Sequence, residues 1–315
     1  MKNRRSFIIG ISSFSLKPSE VKFLKTFKPW GIILFSRNIK SIKQTRNLTD
    51  SIKKIFNDDK YPILIDQEGG RVSRLSKLID SSIFSGEYFG NLYLTDKNKF
   101  KTYYKIFIKQ TSFLLNQIGI NINTVPVLDL RSLVSNKIIG DRSFSQDPKT
   151  VSRIGDFCIK EYHKNNIATV IKHIPGHGLA KVDSHKATPI IKKDLKYLLK
   201  RDFFTFKDKK SLFAMTAHIK YQVIDKNNTA THSSKIIKLI RNKIKFKNLI
   251  ITDDISMKGL RYSISQNTTQ AFRAGCDLVL HCNGNYEEML QVAKNSPVVN
   301  NFIVKKTSQF YKIIS

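Results

Sequence analysis

Eight short runs of continuous rather than alternating hydrophobicity punctuate this chain, at residues 7–11, 31–35, 61–66, 120–126, 168–173, 212–218, 249–254 and 277–281. A strand that is apolar on both sides has to be covered on both sides, as in Ile32-Ile33-Leu34-Phe35 and Ile63-Leu64-Ile65, and that is the pattern of a parallel sheet wrapped in helices. Segments of helical length separate the runs. Val21, Leu24 and Phe27 recur on one face behind Pro18, a residue tolerated in a first helical turn, and Ile52, Ile55 and Phe56 follow the i, i+3, i+4 rule. Eight strands alternating with helices predict an α/β chain closed into a TIM-type (β/α)8 barrel. No repeat, low-complexity tract or Pro-rich linker divides the 315 residues, so residues 1–315 read as one domain.

Polar residues follow or close most of these runs: Arg37-Asn38, Asp66-Gln67-Glu68, Asp129, Lys172-His173, His218 and Asp253-Asp254. The C-terminal ends of parallel barrel strands share one face, and active sites are assembled there. Strand ends are polar in any protein, but that does not explain ionisable groups at six of these ends with few at the opposite ones.

The densest cluster lies between Lys172 and His185, where three histidines, two lysines and Asp183 occupy a Gly-Pro-broken loop. Gly176 and Gly178 give its backbone freedom. Asp183 and His185 are spaced to meet through the turn at Ser184, and a carboxylate beside an imidazole makes a proton donor and acceptor near neutral pH. A metal site is the rival reading, but no helical His-x-x-x-His pair with a partner glutamate is present, and no metal is expected. Asp66-Gln-Glu-Gly-Gly-Arg-Val-Ser-Arg74 sets two acids and two arginines around a Gly-Gly turn, suited either to sugar hydroxyls or to a salt-bridged turn. Asp141-Arg142 reads as a further acid–base pair. The adjacent acids Asp253 and Asp254 end an apolar strand, where two buried, unpaired carboxylates would be costly. Neighbouring side chains diverge along a strand, so one acid is expected to face the barrel mouth as a nucleophile while the other packs against supporting groups.

The 55 Lys and Arg against 24 Asp and Glu give a formal charge of +31, which raises the question of nucleic acid or an anionic surface. The basic residues are spread over nearly every segment and no nucleic-acid module accompanies them, so no specific nucleic-acid partner is expected. Hydrophobic content of 41% supports a packed core. Cys158, Cys276 and Cys282 are read as buried free thiols of a reducing compartment. Phe7 to Phe14 behind Lys2, Arg4 and Arg5 imitates a signal peptide, but serines interrupt it and the segment reads as a first strand. No apolar run is long enough for a membrane span.

In order along the chain, Leu34-Phe-Ser-Arg-Asn38, Ile65-Asp-Gln-Glu-Gly-Gly-Arg-Val72, Val125-Pro-Val-Leu-Asp-Leu130, Ile139-Gly-Asp-Arg-Ser-Phe144, Lys172-His-Ile-Pro-Gly-His-Gly178, Asp183-Ser-His185, Met215-Thr-Ala-His218 and Thr252-Asp-Asp-Ile-Ser-Met-Lys-Gly259 resemble the β-N-acetylglucosaminidases of glycoside hydrolase family 3, of the peptidoglycan-recycling type. The resemblance covers most of the chain. It implies a retaining exo-hydrolase that needs no cofactor and releases terminal β-linked N-acetylglucosamine from muropeptides in the cytoplasm. It further implies that Asp253 is the nucleophile, that His185 supported by Asp183 is the acid/base, and that Asp66, Arg74, Arg142, Lys172 and His173 hold the amino sugar. Glu68 is implied as a support residue. A monomer is expected. Phosphorolysis is a rival, since a histidine would not repel phosphate as a carboxylate does; a non-catalytic sugar- or nucleic-acid-binding protein is a third reading.

Overall fold

The structure is a computed structural model that describes residues 1–132, 138–184 and 186–315. Its strands in chain order are β1 (Arg5–Gly10), β2 (Pro29–Leu34), β3 (Ile63–Ile65), β4 (Ile122–Asn123), β5 (Ala168–Ile174), β6 (Ile190–Ile191), β7 (Phe213–Thr216), β8 (Lys220–Tyr221), β9 (Leu249–Asp254) and β10 (Leu278–His281). All but β6 and β8 form a closed barrel in the order β1-β10-β9-β7-β5-β4-β3-β2, every pair parallel. Each of the eight apolar runs supplies one barrel strand, and helices lie between them.

Alternation along the strands divides the core in two. Ile8, Ile33, Leu64, Val170, Met215, Ile251 and Leu280 fill the barrel, whereas Ile9, Ile32, Ile63, Ile171, Ala214, Ile250 and Val279 pack outward in the other cluster. The last helix, Asn301–Ile313, turns Ile303 and Phe310 into the barrel cluster. Trp30 at the start of β2 donates its indole N–H to Thr307 Oγ1 at 2.9 Å and lies against Phe310, so the N-terminal mouth is stoppered by side chains. Among the described residues, the barrel is left open at its C-terminal face.

One helical face differs from expectation. The helix Pro18–Phe27 buries Glu20, Phe23 and Leu24, with Val21 only half-buried. The Glu20 carboxylate accepts the backbone N–H groups of Ser12 and Lys17, both at 2.8 Å. Satisfying these donors draws an acid inward and rotates Val21 off the core face.

The short strands β6 and β8 pair in parallel. They fasten the far end of the histidine loop to the chain following β7.

Candidate active site

At the C-terminal face Asp66, Glu68, Arg71, Arg74, Arg142, Lys172, His173, Asp183 and Asp253, with Val72, Ile138, Met215, Leu280 and Cys282, line a cavity of ≈ 430 Å³. A larger one, ≈ 740 Å³, lies on the outside against Leu16, Val21, Leu48 and Ile55. Size does not mark the site; convergent charge does.

The cavity floor is an ion network. Lys172, whose side chain is 2% exposed, places Nζ 2.8 Å from Asp66 Oδ1, 2.7 Å from Glu68 Oε1 and 2.9 Å from Thr124 Oγ1. Arg142 grips Glu68 with two bonds of 2.8 Å, from Nε and from a terminal nitrogen. Arg74 stands 3.6 Å from the other Asp66 oxygen, and the Thr124 hydroxyl also donates to Asp66. Burial by itself would raise both carboxyls. The field of Lys172 and Arg74 instead holds Asp66 far below the usual carboxylate range, and Arg142 and Lys172 hold Glu68 at about 2. Burial would likewise lower Lys172, but the two carboxylates raise it. Asp66, Glu68, Lys172 and Arg142 are therefore charged at neutral pH, and the floor offers fixed acceptors and donors to a polar ring.

The two acids ending β9 part company as their strand geometry requires. Asp253 turns to the cavity; one of its oxygens accepts the Asp254 N–H at 2.8 Å. Asp254 is spent on structure: it accepts from the N–H groups of Ser256 and Cys282 and from the Ser256 hydroxyl, at 2.8 to 3.2 Å.

His173, on β5, bridges the two walls. Its Nδ1 lies 2.6 Å from Asp129 Oδ2, and its Nε2 lies 4.0 Å from Asp253 Oδ2. Asp129 is wholly buried and also accepts the backbone N–H groups of His173 and His177. Burial opposes its ionisation, but His173 and His177 outweigh that and keep Asp129 below its ordinary value. A carboxylate so held fixes the imidazole with Nδ1–H inward and Nε2 toward the cavity.

The histidine loop is fixed beneath the mouth. Gly176 needs its glycine for φ +143°, whereas Gly178 needs it for space, because a Cβ would meet the Leu130 carbonyl oxygen at 2.3 Å. His177 Nε2 lies 3.2 Å from the Ser184 hydroxyl, and the Ser184 carbonyl accepts the Gly259 N–H at 2.7 Å. Burial lowers His177 to about 4, which keeps it neutral and structural. Asp183 lines the cavity; the predicted partner His185 lies outside the described residues.

The expected residues Asp66, Arg74, Arg142, Lys172, His173, Asp183 and Asp253 thus surround one space. Three expectations are revised. Asp141 and Arg142 do not pair: Asp141 binds Arg71 at 2.6 Å, while Arg142 reaches Glu68, since adjacent side chains in this turn point apart. Cys282 is half-buried at the cavity wall, unlike buried Cys158 and Cys276. Asp129, noted only as a polar strand end, is the residue that orients His173; its position in Val125-Pro-Val-Leu-Asp129, closing an apolar run, was the available signal.

Asp202 was not foreseen at all. It is 2% exposed, and neither carboxylate oxygen has a hydrogen-bond partner among the described residues. It lies under the loop, with Oδ1 3.0 Å from the place a Gly178 Cβ would take. Burial and the nearby Asp129 charge push its carboxyl up to about 7. An acid raised in the folded state contributes stability that is present below its unfolded value of 3.8 and lost as pH rises through about 7. Asp202→Asn is therefore expected to gain in Tm over wild type progressively across that interval and to hold the gain above it. A Tm difference that does not change over this range would refute the assignment.

The sequence profile described as "Glycosyl hydrolase family 3 N terminal domain" matches residues 9–310. The chain belongs to glycosyl hydrolase family 3. It is 33% identical over 294 residues to a protein named Beta-hexosaminidase from Actinobacillus pleuropneumoniae, covering 88% of this chain and 80% of that one. It is 29% identical to Beta-hexosaminidase A of Pseudoalteromonas piscicida over 84% of this chain, and there the match spans only 48% of the relative's length. Among solved structures, NagZ from Neisseria gonorrhoeae in complex with N-trifluoroacetyl-D-glucosamine superposes with a TM-score of 0.86 at 27% identity, covering 99% of this chain and 90% of that chain. The family 3 barrel of such structures is the fold described above.

Proposed function

We propose that this family 3 chain is a retaining exo-β-N-acetylglucosaminidase that removes terminal β-linked N-acetylglucosamine from muropeptides in the cytoplasm. The observation that carries the reading is Asp253, set in a charged cavity beside a floor of fixed hydrogen-bonding groups while its neighbour Asp254 is locked into the backbone. The relatives' names support the substrate class, and three free thiols fit a reducing compartment.

In this reading Asp253 attacks the anomeric carbon as His185, supported by Asp183, gives a proton to the departing oxygen. A water that yields its proton to the same imidazole then releases the sugar with its configuration retained. Asp66, Arg74, Lys172 and Arg142 hold ring hydroxyls and the acetamido group. His173, kept in one tautomer by Asp129, faces the reacting carboxylate from 4.0 Å and sets the position of the sugar against it.

The test is turnover of a chromogenic β-N-acetylglucosaminide followed by proton NMR, with and without phosphate. The β-anomer of free N-acetylglucosamine is expected to appear first under both conditions. First appearance of the α-anomer would exclude retention, and sugar 1-phosphate would establish the phosphorylase in its place.

A further inference from the structure

The helix Lys97–Gln117 carries five lysines and no acidic residue, and its outer face is not simply polar. Ile106 and Phe113 stand 48% and 65% exposed, Tyr103 borders them, and Lys105 and Lys109 are exposed beside them, while Lys99 lies 3.7 Å from the Asp96 carboxylate that caps the helix. Residues 103, 106, 110 and 113 fall on one stripe at three- and four-residue spacing. The turn before the preceding helix extends the patch. Ile79 shares a shallow cleft with Gln110 and Leu114, the Phe84 ring lies against Phe107, and neighbouring Ile83 is 68% exposed. Asp80, the acid in this turn, is occupied with the Ser82 N–H at 2.9 Å.

Scattered lysines alone identify no partner, and single exposed apolar residues are ordinary. Their coincidence on one face narrows the choice. A second copy of this chain would bring lysine against lysine in a protein of net charge +31. Nucleic acid would leave Ile83, Ile106 and Phe113 without an apolar counterpart. An anionic bilayer satisfies both halves: the aliphatic and aromatic groups enter the acyl boundary, while lysines beside them lie along the surface with their ammonium groups at the headgroups.

We propose that this face docks the protein reversibly on an anionic membrane surface. The patch also adjoins the catalytic mouth, because the Ser81 carbonyl accepts the N–H of Gly70, in the loop joining Glu68 to Arg74. A docked molecule therefore holds its cavity beside the lipid headgroups.

The test is co-sedimentation of the purified chain with large unilamellar vesicles of phosphatidylcholine alone or with an equimolar share of phosphatidylglycerol. Binding is expected only with phosphatidylglycerol and is expected to be released at high salt, as screening weakens the lysine contribution. Ile106→Ser with Phe113→Ser should cut the partition by about tenfold to a hundredfold, from the apolar area no longer buried. Lys105→Glu with Lys109→Glu should cut it too. Turnover of a soluble chromogenic glycoside, unchanged in both pairs, reports that they fold, and Ile83→Ser repeats the test at an independent position. Wild-type protein remaining in the supernatant with anionic vesicles would overturn the proposal, as would serine variants that sediment like wild type. A lipid-free dimer in sedimentation velocity that the serine variants lose would assign the face to a second copy instead.

Discussion

Asp253→Ala is expected to lower kcat on a β-N-acetylglucosaminide by about four to six orders of magnitude, the scale of removing other covalent nucleophiles. The acids beside it in sequence and on the cavity floor are already engaged. Asp254 is held by Ser256 and the Cys282 N–H, and Asp66 and Glu68 are neutralised by Lys172, Arg74 and Arg142. Because Asp253 faces the cavity, the variant should keep its Tm near that of wild type and its KM within about an order of magnitude, as expected when a group acts in the transition state more than in binding. Azide supplies the decisive arm: a small anion entering the space left by the carboxylate should attack the anomeric carbon and give the α-glycosyl azide. Activity within about tenfold of wild type, or azide giving only the β-azide, would remove Asp253 from the nucleophile's role.

The barrel could be read from the chain because a doubly covered strand leaves a local mark, continuous apolar residues, that needs no knowledge of its partners. Ile32-Ile33-Leu34 and Ile63-Leu64-Ile65 both became barrel strands on that evidence alone. The convergence of ionisable residues into one candidate cavity was legible too, since they gathered at one set of strand ends. Pairing between distant side chains was not. Arg142 stands beside Asp141 in sequence but reaches Glu68, 74 positions away, because the fold and not chain adjacency decides which charges meet. Val21 left the core face for a related reason, while Leu24 and Phe27 kept it: the N–H groups of Ser12 and Lys17 draw the Glu20 carboxylate inward. Asp202 follows Arg201 with nothing in the chain to single it out, yet it ends up buried under the histidine loop. Such residues carry no sequence pattern of their own, since what makes them unusual is supplied by other parts of the chain.

Lys172→Met should have the largest effect on stability. Removing the cation leaves Asp66 and Glu68 buried with less compensation, and breaking a buried pair in this way costs about 3–5 kcal/mol. Arg142 still grips Glu68, so the more exposed to loss is Asp66, left with Thr124 and an Arg74 contact of 3.6 Å. The pH dependence identifies the cause. In wild type both carboxyls are depressed by burial-opposing cations, so their stabilisation is present above the unfolded values of 3.8 and 4.5 and is lost as pH falls through the folded ones. The gap between wild type and Lys172→Met should therefore be full at pH 7 and shrink below about pH 4.5, as the stranded acids take up protons more readily than the paired ones. Adding Asp66→Asn should return part of the lost stability at neutral pH without returning turnover, because the carboxylate left without its cation is then neutral while the ammonium group that would hold the sugar is still missing. A gap that persists unchanged into acid would mean that Lys172 contributes through packing of its aliphatic stem, and a double variant with restored turnover would mean that the ammonium serves the acids alone and never the substrate.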